Sequence, residues 1–205
     1  MAKIKFTKGE LKRQRDALKQ FRRYLPTLQL KKQQLQLEIL HQNTILQEAK
    51  QTLIKKKQGI LLWAGLLAEP EVEIKLFLKQ EKIITHKKNI AGVDIPVFES
   101  LDFSQQDYDL FLAPLWLDAG ILALREVIVL EKKIQLLQEG VDILRQELRV
   151  TTQRVNLFEK VKIPAAEENI RLIKIYIGDQ MANAVGRSKI AKRKIEEMVQ
   201  IEALA

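Results

Sequence analysis

The sequence predicts a mainly α fold: a long antiparallel two-helix coiled coil formed by the N- and C-terminal helices, with a small middle insert that contains a short β-hairpin. Three observations predict it. Leu and Ile recur at helical intervals through both halves, the helical period is lost around residues 89–98 where Gly and Pro appear, and the charge is divided between basic ends and an acidic middle. Aromatic residues make up only 6% of the chain and charged ones 30%, a profile that suits paired helices better than a compact globule.

The N-terminal helix is predicted from about Thr7. Leu11, Leu18 and Leu25 are separated by sevens, followed by Leu28 and Leu35, then Ile39, Leu46, Leu53, Ile60 and Leu67. Recurrence by sevens over several heptads marks a narrow apolar stripe that packs on another helix in a left-handed supercoil. Pro26 is expected to kink this helix or to divide it from a first segment ending near Tyr24. In the second half, Val127, Leu130, Ile134, Leu137, Val141, Leu144, Leu148, Thr151, Val155 and Phe158 alternate steps of three and four. The spacing resumes after Pro164 with Ile170, Ile173, Ile177, Met181, Ala184, Ala191 and Met198, which predicts a helix that continues with a bend. Between the two, Ile90, Val93, Ile95 and Val97 around Gly92 read as a short hairpin, with Pro96 restricting it to an edge. The expected divisions are 1–80, 81–120 and 121–205. A single amphipathic helix cannot bury its own stripe, so the two stripes are expected to zip together antiparallel over roughly 100 Å.

The formal net charge is +9, but residues 1–60 hold 15 Lys and Arg against 4 Asp and Glu, while residues 61–144 hold 8 against 14 and residues 145–205 hold 12 against 8. Antiparallel pairing is expected to bring the basic ends together, with Lys12, Arg13 and Arg15 from one terminus and Arg187, Lys189 and Lys192 from the other. Such residues could grip phosphates, but stacking aromatics are sparse there, so a solvated or protein-facing surface is the better reading. The apolar runs Gly59–Ala68 and Leu110–Leu124 fall short of the roughly 20 residues that span a bilayer. They hold more apolar surface than a helix pair can hide, which predicts a docking patch near the insert. Trp63 and Trp116 read as packing residues in those runs. No secretory signal is evident and no cysteine occurs, so a cytoplasmic location is expected.

Little in the chain points to chemistry of its own. The two histidines, His41 and His86, read as surface or packing residues, and the adjacent pairs Glu167–Glu168 and Glu196–Glu197 as solvated helix faces. Phosphate-binding loops, nucleophile elbows and metalloprotease helices are absent, and no cofactor is implied.

The run Arg154-Val155-Asn156-Leu157-Phe158-Glu159 followed by Ile163-Pro164 resembles the RVNALE…IP signature of the D subunit of V-type rotary ATPases, vacuolar and archaeal. Leu28-Gln29-Leu30-Lys31-Lys32 looks like that family's LLKxK segment, and Gly92-Val93-Asp94-Ile95-Pro96-Val97-Phe98 like its GVxxPxF hairpin. The sequence departs from the pattern at Leu25-Pro26, where a glycine-containing turn is usual, and at Val185-Gly186-Arg187-Ser188-Lys189, which stands in place of an FRLK-like run.

The resemblance implies a non-catalytic central rotor shaft whose terminal helices enter a hexameric ring of A and B subunits. Arg154, Val155, Asn156, Glu159, Ile163 and Pro164 would belong to the rotor contacts. Gly92, Val93, Ile95, Pro96 and Phe98 would serve partner docking, the basic tip would face the ring, and the middle portion would bind the small F subunit of the central stalk and seat on the funnel-shaped subunit above the membrane ring. Ion transport and ATP synthesis or hydrolysis would thereby be coupled, on the cytoplasmic side and without insertion into the membrane or contact with nucleic acid. The competing reading is a basic coiled coil that binds nucleic acid or acts as a scaffold.

Overall fold

The computed structural model describes residues 5–68, 74–104, 108–109 and 113–203, with side chains up to residue 199 and without that of Ala68. It is mainly helical, with helix α1 (Lys8–Leu61), a 3₁₀ turn (Ala64–Ala68), a short α2 (Ile74–Phe77), strands β1 (Gln80–Ile90) and β2 (Val93–Phe103), then α3 (Leu117–Leu157), a π-helical turn (Phe158–Lys162) and α4 (Ile163–Ala203). The chain divides into two compact units, one of residues 1–29 with 153–205 and the other of Leu30–Thr152.

In the first unit Thr7 caps the N-terminus of α1. The Glu10 N–H donates to Thr7 Oγ1 at 3.2 Å, and the Glu10 carboxylate lies in the first turn, where the helix dipole favours negative charge. The opening stretch of α1 runs antiparallel to α4. Phe21 packs on Phe158 with ring centroids 5.4 Å apart, Arg22 bonds Glu167 at 2.6 Å, and Phe6 lies 5.1 Å from Tyr176. Val155, Ala166, Ile170 and Ile173 form the buried side of this unit. Of the two outcomes expected at Pro26, a kink or a division, the helix is not divided: α1 is continuous from Lys8 to Leu61 across it. Only one backbone bond is missing there, and Leu25 and Leu28 on either side are partly buried and keep the helix on its partner.

Near Pro164 the helical backbone changes its hydrogen-bond pattern. The Ile163 N–H bonds back to the Phe158 carbonyl, five residues earlier, which makes the turn π-helical. Pro164 has no N–H, and its ring crowds the carbonyl four residues back, so widening the preceding turn relieves the clash without ending the helix.

In the second unit α1 and α3 continue antiparallel, and ion pairs tie their flanks: Lys31 to Glu147 at 2.7 Å, Lys57 to Glu131 at 2.6 Å, and Lys56 to Glu126. Lys31 near the start of this segment meets Glu147, whereas Lys56 and Lys57 some 25 residues on meet Glu126 and Glu131, as antiparallel pairing requires. The core is a cluster of Leu35, Ile39, Leu144 and Ile95, the last contributed by β2, with Val93, Val97 and Leu148 against it. Strand β2 approaches α3 closely at Gly140, where an added Cβ would sit 3.7 Å from the Ile95 Cβ.

The hairpin is longer than the short one the sequence suggests: β1 and β2 are 11 residues each. They pair antiparallel from Ile90↔Val93 to Gln80↔Phe103, with Pro96 opposite Lys87 in a sheet where both strands are edges. The unforeseen part of β1 is exposed on nearly every residue, so it lacks the apolar/polar alternation that reveals a strand. The loop Ala91–Gly92 has φ of 51° and 78°, the positive pair that a two-residue type I′ turn demands. Asn89 braces it by accepting from the Gly92 N–H at 3.1 Å and donating to Asp94 at 2.6 Å.

Candidate functional site

The signature residues around 154–164 divide by face. Val155 is buried in the helix pairing and Ile163 partly so, because both fall on the stripe that continues through Ala166, Ile170 and Ile173. Arg154, Asn156, Glu159 and Pro164 are exposed. The apolar members therefore hold the fold of the first unit, and the polar members are presented to solvent on either side of the π turn.

The hairpin residues divide in the same way. Ile95 is buried against α1 and α3, and Val93, Pro96 and Phe98 are half-buried, whereas Gly92 is exposed at the turn. The base of the insert is clamped by Arg125, whose guanidinium donates to the Phe77 carbonyl at 2.9 Å and the Ser104 carbonyl at 3.1 Å while lying 5.1 Å from the Phe103 ring centroid. Three segments distant in sequence are thus held by one side chain. Trp63 and Trp116 both lie against Gly120, in keeping with packing roles. Around them Leu61, Leu62, Leu115 and Leu122 are exposed, while residues 110–112 of the expected apolar run lie outside the described residues.

Lys12, Arg13, Arg15, Arg187, Lys189 and Lys192 are all exposed. They belong to one unit but form two groups along it. Because Phe6 already lies beside Tyr176, Arg187 sits eleven residues farther along α4, roughly 16 Å past that contact. Arg13 reaches Glu10 at 3.7 Å and Lys192 reaches Glu196 at 3.7 Å, contacts within one helix turn that leave both cations available to a partner.

Beyond Tyr176 helix α4 keeps an apolar series although none of the described residues covers it: Met181, Val185, Ile190, Ile195 and Met198 are each more than half exposed. The carboxylates Glu167 and Glu168 are bridged separately, to Arg22 and to Arg171. The bond from Arg171, at 2.7 Å, lowers the Glu168 carboxyl below its usual range and raises the Arg171 guanidinium in return. His41 is exposed, and His86 approaches Glu99 at 3.9 Å across the hairpin. Among the described residues no cluster of His, Asp and Glu could hold a metal ion, and no helix is long and apolar enough to cross a membrane.

One surface has no counterpart in the sequence reading. An open groove of about 630 Å³ lies on α1, lined by Gln33, Gln36, Leu37, Ile39, Leu40 and Leu148. Leu37 and Leu40 are 69% and 65% exposed, so they are not part of the covered stripe that the sevens reveal.

Comparison with known proteins agrees with the resemblance. Residues 10–193 match the ATP synthase D-subunit family. The chain is 44% identical over 195 residues to the V-type ATP synthase D subunit of Borreliella burgdorferi, covering 95% of this chain and 96% of that one. It is 32% identical to the V-type ATP synthase D subunit of Chlamydia caviae, covering 96% and 95%, and 31% identical to that of Chlamydia pneumoniae, covering 94% and 93%. With the paired helices, the hairpin and the Arg154–Pro164 run all in place, the chain belongs to the family of V-type ATP synthase D subunits.

Proposed function

We propose that the chain is the central rotor subunit of a V-type ATP synthase, carrying torque between the A/B catalytic ring and the membrane ion-translocating ring without an active site of its own. The observation that supports this most directly is the outer stretch of α4. An uncovered helix that interleaves Met181, Val185 and Ile190 with Arg187, Lys189 and Lys192 is suited to a socket made by other subunits, not to solvent. Its aliphatic side chains would bear on an apolar collar, and its cations would be drawn to acidic loops of the ring without a deep, locking interface.

Torque transmission also requires that paired helices not slide. Within each unit the interdigitated stripes and the cross-helix contacts Arg22–Glu167 and Lys31–Glu147 oppose slippage. A shaft whose sides differ in charge and bulk would touch each catalytic site differently, and rotation would then shift each site's conformational preference through differential contact energy. In this reading 1–80 and 121–205 supply the shaft. The insert 81–120 offers Gly92, Val93, Ile95, Pro96 and Phe98 as a docking element, and the middle of the chain meets the small F subunit and the funnel-shaped subunit. Arg154, Asn156 and Glu159 are the exposed signature groups available for rotor contacts. The complex would lie on the cytoplasmic face of the membrane, with this chain as a peripheral component.

The chain's lack of cysteine permits a direct test. A cysteine at Val185, bridged to one introduced in the facing ring subunit, should stop ATP turnover in the assembled complex, and reduction should restore it. Turnover that continues while the bridge is intact would refute the rotor reading.

A further inference from the structure

The apolar stripe of the C-terminal half changes frame at the π turn. Upstream, alternating steps of three and four run without interruption from Val127 to Val155 and Phe158. Continued, they would reach Lys162, Ala165, Asn169, Leu172 and Tyr176. The residues buried in the first unit are instead Ala166, Ile170 and Ile173, each one position later, and the partly buried Ile177 keeps that later frame. Val155 and Ile170 are thus fifteen residues apart, where two heptads make fourteen.

One surplus residue turns an α-helix by about 100°. In an uninterrupted α-helix Ile170 and Ile173 would be carried that far from the side on which Val155 is buried and Phe158 meets Phe21. The bond from the Ile163 N–H to the Phe158 carbonyl encloses one residue more than an α turn does, so the surplus is absorbed there and the stripe returns to α1. Pro164 favours this form, because it lacks the N–H that an α ladder would place on the Lys160 carbonyl. The positions of the abandoned frame are nonetheless suited to packing. Leu172 and Tyr176 are only 36% and 42% exposed, Ala165 is small, and Tyr176 already rests on Phe6. Two stripes therefore lie side by side on α4, one residue apart.

We infer that the π turn is a two-state phase element: its π form seats Ala166, Ile170 and Ile173 on α1, and an α form turns α4 by about 100° and seats Ala165, Leu172 and Tyr176 in their place. Pro164 and the more apolar later stripe make the π form the dominant one. The partly buried side of α1 in this unit, Leu11, Gln14, Ala17, Leu18 and Phe21, includes an amide, Gln14, that can receive Asn169 in the turned form.

The step between the two forms is discrete, because close-packed side chains settle in one stripe or the other and do not deform continuously. Downstream, the same turn carries Met181, Val185 and Lys189 about the helix axis together, so the face that α4 offers to a partner depends on the state of five residues near its start.

The inference does not depend on the rotor reading and is tested on the isolated full chain, whose lack of cysteine makes introduced pairs unambiguous. Leu11→Cys with Ile173→Cys reports the π form, and Leu11→Cys with Leu172→Cys the turned form, since a turn of about 100° takes one Cβ out of bonding range as it brings the other in. In a thiol–disulfide buffer the first pair should close in most molecules and the second in a minority. Deletion of Val161, an exposed residue of the π turn, removes the surplus and leaves the later stripe in phase within a plain α-helix. It should leave closure of the Ile173 pair unchanged and slow closure of the Leu172 pair roughly tenfold or more. Pro164→Ala, which supplies the missing N–H, should speed closure of the Leu172 pair. A Leu172 pair that never closes, that closes equally fast after the deletion, or that gains nothing from Pro164→Ala would overturn the two-state element. Loss of the Ile173 pair or of helical circular dichroism on deleting Val161 would overturn the assignment of a surplus residue to the turn.

Discussion

Leu144 is the most informative single position for the packing of the second unit. It is fully buried and clusters with Leu35 and Ile39 of α1 and Ile95 of β2, so one side chain joins both helices and the hairpin. Truncation to alanine removes three carbons from a site where β2 is seated at Gly140 and α1 is held by its ion pairs, which limits collapse into the gap. The expected loss is about 3 kcal/mol, within the range of about 2–5 kcal/mol for large-to-small core substitutions. For a chain of this length that corresponds to a fall in melting temperature of roughly 6–12 °C. Leu37→Ala removes the same atoms from a side chain that is 69% exposed and should cost no more than about 0.5 kcal/mol. Thermal unfolding of the two purified variants beside the parent, followed by circular dichroism, gives the comparison. Equal melting temperatures for Leu144→Ala and Leu37→Ala would refute the assignment of Leu144 to a shared core.

Two helical glycines should respond oppositely to alanine. At Gly140 the new Cβ meets Ile95 at an ordinary 3.7 Å, so Gly140→Ala should stabilise by about 0.5–1 kcal/mol through helix propensity; at Gly120 it would come within 3.0 Å of the Trp116 ring, and denaturant midpoints should show that gain cancelled or reversed. Ala91 occupies a left-handed conformation at φ 51°, which favours Asn over Ala, so Ala91→Asn should raise the unfolding midpoint by the equivalent of about 1 kcal/mol.

The helices were legible because their stripes repeat many times and each repetition adds to the same signal. The sevens from Leu11 to Leu46 and the alternating steps from Val127 to Phe158 all fall on α1, α3 or the π turn. The expected series reaches Leu67, but α1 stops at Leu61, since Gly59 and the run of apolar residues after it give no face to prefer. Pro26 and Pro164 illustrate the limit of local rules: one is absorbed without interrupting its helix and the other is met by a π turn, and neighbouring packing decides between these outcomes. The hairpin's turn was legible from Gly92 and Pro96, while the polar outer length of β1 carried no pattern to read.

The candidate surfaces were legible to a different degree, for a physical reason. Apolar periodicity says that a face is covered, not what covers it. Ile170, Ile173, Ile177, Met181 and Ala184 form one series in the sequence, yet Ile173 is fully buried beneath α1 whereas Met181 is 51% exposed, because α1 begins near the level of Tyr176. On α1 Leu35, Ile39 and Leu46 are buried, whereas Leu37 and Leu40 stay exposed. On the outer stretch of α4 Arg187, Lys189 and Lys192 interrupt the aliphatics, so that face suits a partner combining apolar and acidic surface.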